Sequence, residues 1–149
     1  MGLDFAAFPR YVENLPKVDK RIKQVVREQW PGMPEGTIAY RIELQIPVGR
    51  VFNLVYISGT PDKIAIYQPL KRFPVDAIPL AAVDELGDWW AAQGMHSLFQ
   101  IALSPDGVLL LAAEGEASKF AAHETRRWIS GVVSATHQVL HQVLLRFPD

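Results

Sequence analysis

No cysteine occurs among the 149 residues. Disulfides, thiolate metal sites and thiol nucleophiles are excluded, and a reducing, cytoplasmic setting becomes the default. The chain also lacks an excess of charge: 15 Lys and Arg face 16 Asp and Glu, for a net −1. That balance gives no global pull towards nucleic acid or an anionic membrane. No apolar run approaches the ~18 residues of a membrane span; the longest is Val108 to Ala113. The start, MGLDFAAFPR, has neither the basic end nor the apolar core of a secretory leader. Ala6 stands where a myristoylation signal needs Ser or Thr. Internal repeats and low-complexity stretches are missing as well. What remains is a chain with 49% apolar residues. It fits a single domain over 1–149 that buries roughly 70% of its unfolded surface.

The clearest pattern runs from Thr37 to Leu70. In TIAYRIELQI, Ile38, Tyr40, Ile42, Leu44 and Ile46 alternate with Ala39, Arg41, Glu43 and Gln45. Period two is the mark of a strand with one face buried. PVGR and GTPD each lead into another strand-forming run, VFNLVYIS and KIAIYQPL. Links this short join antiparallel neighbours, so a three-stranded meander is expected. Its middle strand is apolar on both faces, with Phe52, Leu54 and Tyr56 opposite Val51, Val55 and Ile57. Pro69 argues for a short third strand near Ile64 to Tyr67. Two later strands, His96 to Leu103 and Val108 to Glu114, flank SPDG. In that turn Pro105 presets φ, Asp106 tolerates the next position and Gly107 supplies a positive φ.

Helices should cover this sheet. A short one is expected between Leu3 and Asn14. After Pro16, residues Val18, Ile22, Val25, Val26, Gln29 and Trp30 recur at helical spacing, while Lys17, Lys20, Lys23 and Arg27 take other faces. This predicts a helix to Trp30, ended by PGMPEG. A third helix, LAAVDELGDWWAAQG, has Val83, Leu86 and Trp90 on one stripe. Trp89 lies about 100° round from Trp90, so both indoles cannot occupy one narrow stripe. The last helix, Ser118 to Phe147, would span about 45 Å against about 27 Å for an eight-residue strand. Its apolar overhang needs a cover, from the first helix or a second copy. Gly131 is a candidate kink.

The chemistry-bearing residues suggest no reaction. His137 and His141 share a helix face, but two ligands make no closed or catalytic zinc site. HETRR, from His123, has Arg127 where a zinc-protease motif needs histidine. Asp84 and Asp88 read as a solvated helix face, and SGTPD as a strand connection without the lysine of a phosphate loop. Lys17, Lys20, Arg21, Lys23 and Arg27 could touch phosphates, but no aromatic residue is interleaved for base stacking. Lys71 and Arg72 beside Phe73 form a smaller basic patch. No metal or cofactor is expected.

The resulting order is α-β-β-β-α-β-β-α, an α+β fold with a five-stranded antiparallel sheet. With PKVDKRIKQVVREQW, the Thr37–Leu70 meander, AAVDELGDWWAA, SPDG and the apolar last helix, it resembles the YbjN family. Beyond that, it resembles the class I type III secretion chaperones. The resemblance implies a small, usually dimeric protein without an active site, chaperone-like or stress-related, that binds extended partner segments along apolar patches. Trp89, Val51, Val55, Leu98, Ala102 and Phe73 are the candidate partner-binding residues, since tryptophan and apolar side chains dominate such contacts. The expected partner is another protein or a second copy, with no membrane and, less favoured, nucleic acid. The alternative is a small-molecule pocket between sheet and last helix, for which Asn53, His96 and Gln100 are the available strand polars.

Overall fold

The computed structural model describes residues 5–30, 32–45, 54–93, 99–117 and 122–148. A 3-10 turn at Phe5–Ala7 leads into α1 (Phe8–Glu13) and α2 (Leu15–Val18). Strands β1 (Ile22–Glu28), β2 (Ile38–Leu44), β3 (Leu54–Gly59) and β4 (Lys63–Arg72) follow. Then come α3 (Leu80–Ala92), β5 (Gln100–Leu103), β6 (Val108–Glu116) and α4 (Ala122–Arg146). The fold is α+β with an antiparallel sheet, as expected, but the sheet has six strands in the order β1-β2-β3-β4-β6-β5.

The added strand corrects the expected helix from Pro16 to Trp30. Pro16 does start a helix, but that helix stops at Val18, and Asp19 is already extended, with φ −135° and ψ 111°. The misleading spacing has a cause. Ile22 pairs with Leu44, yet Gln24 pairs with Glu43 and Val25 with Ile42, so Lys23 is an extra residue in a bulge. The bulge places Ile22 and Val25 three apart on the same face. Three is also a helical interval, so a bulged strand imitates a helix stripe.

The meander of β2, β3 and β4 forms as expected, although its first link lies outside the described residues. β4 is longer than Pro69 suggested. It runs ten residues and lies between β3 and β6. Pro69 pairs with Leu110 and Lys71 with Leu109, leaving Leu70 as the bulged residue. A bulge is where a ladder tolerates a proline. The SPDG turn closes with Gly107 N–H donating to the Ser104 carbonyl at 3.0 Å. Gly107 has φ +88°, and a Cβ there would lie 2.4 Å from the Phe73 carbonyl oxygen. Both facts require glycine.

The helices cover one face of the sheet. On that face Tyr40, Ile42, Val55, Ile57, Ile64, Ile66, Leu109 and Leu111 have no solvent exposure. Helix α4 crosses it with Ile129, Val132 and Val139, also fully buried. A buried bond of 2.7 Å from Thr136 Oγ1 to Gln68 Oε1 fixes the crossing. Gly131 marks close packing: the Phe99 ring lies 2.7 Å from where its Cβ would be. The helix continues through it. Phe8 and Val12 of α1 pack on the same face, with the Phe8 and Tyr40 rings 6.2 Å apart. Trp90 anchors α3, its indole N–H donating to the Phe99 carbonyl at 2.8 Å.

A candidate partner-binding surface

The opposite face of the sheet has no helix on it among the described elements. Its residues are the alternate members of the same strands. One row across it runs Val26, Arg41, Tyr56, Tyr67, Ala112, Gln100. Leu54, Ala65, Pro69, Leu110 and Ala102 sit beside that row, and all are only half-buried. Tyr56 and Tyr67 face each other across β3 and β4, with rings stacked at 5.3 Å and 13°. Trp30, just past β1, meets both at 5.8 Å. Such edge and offset contacts add about 0.5–1.5 kcal/mol each beyond area burial.

The polar groups around this trio are engaged with one another. The Trp30 indole N–H donates to Glu28 Oε1 at 3.1 Å, and Arg41 Nη1 donates to Glu28 Oε2 at 3.1 Å. Burial holds the Tyr67 phenol well above the usual range, with Tyr56, Glu28 and Asp106 adding to the effect. The phenol therefore remains a neutral donor throughout the physiological range. Asp106 is exposed, and its carboxyl is pulled below the usual range by the Ser104 hydroxyl first. It also faces Arg72 at 3.8 Å.

Next to the trio is a recess of about 770 Å³. One wall is Trp30, Tyr56, Tyr67, Pro69 and Leu110; another is Leu140, Val143, Leu144 and Phe147 of the α4 end. The bulge in β4 joins them. Lys71 lies by the Phe73 ring, 6.0 Å from its centroid, and the Phe73 and Phe147 rings are 5.0 Å apart. Lys71, Arg72, Ser104 and Asp106 form a polar rim. An apolar hollow of this size with a few peripheral polar groups can hold an apolar or aromatic group by desolvation. Among the described residues no three His, Asp or Glu side chains converge on a metal position.

The sequence-derived candidates are scattered. Val51, Leu98, Asn53 and His96 lie outside the described residues. Val55 is fully buried and Phe73 is 7% exposed, so both are core residues facing the helices rather than surface offered to a partner. The reason is β3's alternation, which turns Val55 and Ile57 inward and Leu54 and Tyr56 outward. Ala102 is half-buried on the open face, opposite Leu110. Trp89 is half-buried on α3, its ring 6.3 Å from that of Trp90. Trp30, Tyr56 and Tyr67 all lie outside the sequence-derived candidates. The signal for Tyr67 was its place in the outward set of a strand; for Trp30 the bulge hid it.

No protein-family model and no curated protein matches the chain. Solved structures do. An uncharacterized protein from Methanothermobacter thermautotrophicus superposes with a TM-score of 0.55 at 15% identity, over 97% of this chain and 99% of that one. A chain of the HopA1–SchA chaperone–effector complex superposes with a TM-score of 0.53 at 10% identity, over 93% of this chain and 98% of its own. At these identities the likeness is one of fold.

Proposed function

We propose that this chain is a non-enzymatic, chaperone-like module that binds extended segments of a partner protein. The observation that carries the reading is the open sheet face: Trp30, Tyr56 and Tyr67 stand half-buried beside an apolar recess, and among the described helices only the C-terminal end of α4 reaches it. The shared fold with a chain of a chaperone–effector complex supports it. Binding would bury partner apolar side chains in the recess, at about 25 cal/mol per Å² before ordering costs. Ala102, on the same face, extends the surface, and half-buried Trp89 on α3 is proposed as a separate contact. The finer assignment to a YbjN-like protein acting in the cytoplasm rests on the expected element order from the β2–β4 meander onward, which the added strand β1 leaves in place, and on the cysteine-free composition. Self-association belongs to the same reading: Leu144 and Leu145 on α4 are 54% and 61% exposed, and a second copy is the simplest cover.

A photo-crosslinking residue tests this directly. Benzoylphenylalanine at position 67 should capture a Leu- and Phe-rich unstructured peptide, and the same residue at exposed Asp62, in the β3–β4 turn and outside the recess, should not. Capture at neither site, or equally at both, contradicts the assignment. The recess volume also admits a small-molecule reading. A thermal upshift with a compound library in the absence of any peptide binding would favour that alternative.

A further inference from the structure

One corner of the molecule is strongly basic although the whole chain is near neutral. Lys17, Lys20, Arg21 and Lys23 are exposed where α2 passes into β1, and Arg126 is exposed on α4. A single buried carboxylate ties the two segments together. Arg21 Nε donates to Asp19 Oδ1 at 2.9 Å, Arg126 Nε lies 3.6 Å from Asp19 Oδ2, and Arg21 Nη1 donates to Ser130 Oγ at 2.7 Å. Arg21 and Arg126 thus share the Asp19 carboxylate, and Lys17, Lys20 and Lys23 lie beside Arg21 in the chain with their side chains exposed.

The corner also has a direction. β1 is an edge strand with β2 as its one partner among the described residues. It leads from the bulge at Lys23 to Trp30, which walls the recess. Lys23 and Trp30 are seven positions apart, about 23 Å of extended backbone. The opposite edge, β5, has only four residues and is tied to α3 through Trp90 and Phe99.

Building on the apolar-segment reading of the recess, we propose that Lys17, Lys20, Arg21, Lys23 and Arg126 recognise carboxylates on the same partner segment. Its acidic run would lie about seven extended residues from the apolar group that enters the recess. Charge complementarity selects the partner chemistry. A polypeptide can carry both acids and an apolar anchor, whereas a nucleic acid strand would bring phosphates towards an apolar hollow. Residues 17–27 also contain no aromatic side chain on which a base could stack.

The test uses fluorescein-labelled synthetic peptides and the full chain, read by anisotropy. One peptide carries Asp and Glu about seven residues from a Leu-Phe-Leu anchor; its control has Ser in place of the acids. The acidic peptide should bind about tenfold tighter at low salt, the sum of several exposed ion pairs. The advantage should vanish in Lys20→Glu/Lys23→Glu, in the milder Lys20→Ser/Lys23→Ser, and at high salt. Equal affinity for both peptides overturns the acidic preference and leaves the recess reading standing. Binding of neither overturns both. Displacement of the acidic peptide by a single-stranded oligodeoxynucleotide at lower concentration than unlabelled peptide assigns the corner to nucleic acid and overturns the proposal.

Discussion

The two faces of the sheet are written by alternate residues of the same strands, yet they differ in kind. On the helix side, Ile57, Ile66 and Leu111 are fully buried. On the open side, their chain neighbours Tyr56, Tyr67 and Leu110 are half-exposed beside a recess. The first face contains the interactions that hold the fold. The second adds ring contacts but also retains apolar surface that the monomer leaves half-exposed. Substitutions on the two faces should therefore separate stability from association.

The largest effect is expected on the helix side. Leu111→Ala removes a fully buried side chain from the sheet centre and should cost about 2–5 kcal/mol in urea unfolding. Peptide affinity of the folded fraction should be unchanged. A smaller loss, about 1–3 kcal/mol, is expected for Gly107→Ala, where positive φ combines with a close Phe73 carbonyl. Gly36→Ala isolates the conformational part. Its φ is +85° but nothing lies within 4 Å of a Cβ, so about 1 kcal/mol should be lost.

Asp19 makes a pH-dependent contribution at the basic corner. The hydrogen bond from Arg21 lowers its carboxyl from 3.8 to about 2, against an opposing effect of burial. A carboxyl depressed in the folded state stabilises above its unfolded pKa and loses that contribution as pH falls through the folded one. Because the Arg21 side chain is 43% exposed, the contribution is discounted to about 1–2 kcal/mol. Wild type should lose it between about pH 4 and pH 2. Asp19→Asn should show no such loss in that window when melting temperatures are compared. The smallest effect on stability, within about 0.5 kcal/mol, is expected for exposed Leu145→Glu. Light scattering should nonetheless show the variant shifted to monomer.

Much of the fold was legible because its signals were local. Strict alternation in TIAYRIEL marked β2, SPDG marked the β5–β6 turn, and the stripe Val83, Leu86, Trp90 marked α3. The failures came from bulges. At Lys23 an inserted residue converted a two-residue period into a three-residue interval, and the strand read as a helix. At Leu70 a bulge accommodated Pro69, and the strand read as short. The surface was less legible still. Periodicity sorts β3 into two sets, but which set turns towards the helices is decided by α4 and α1, and Val55 lies inward. Trp30 joins Tyr56 and Tyr67 only through strand pairing across β1, β2, β3 and β4, which no local pattern encodes.

The most direct measurement is the affinity of Trp30→Ala for a Leu- and Phe-rich unstructured peptide, taken alongside its unfolding free energy. Affinity should fall at least about tenfold, as for an aromatic anchor at an interface, while the variant stays folded with a stability loss of about 1–3 kcal/mol from its two ring contacts. Unchanged affinity in a folded Trp30→Ala variant would contradict the division of labour between the two faces.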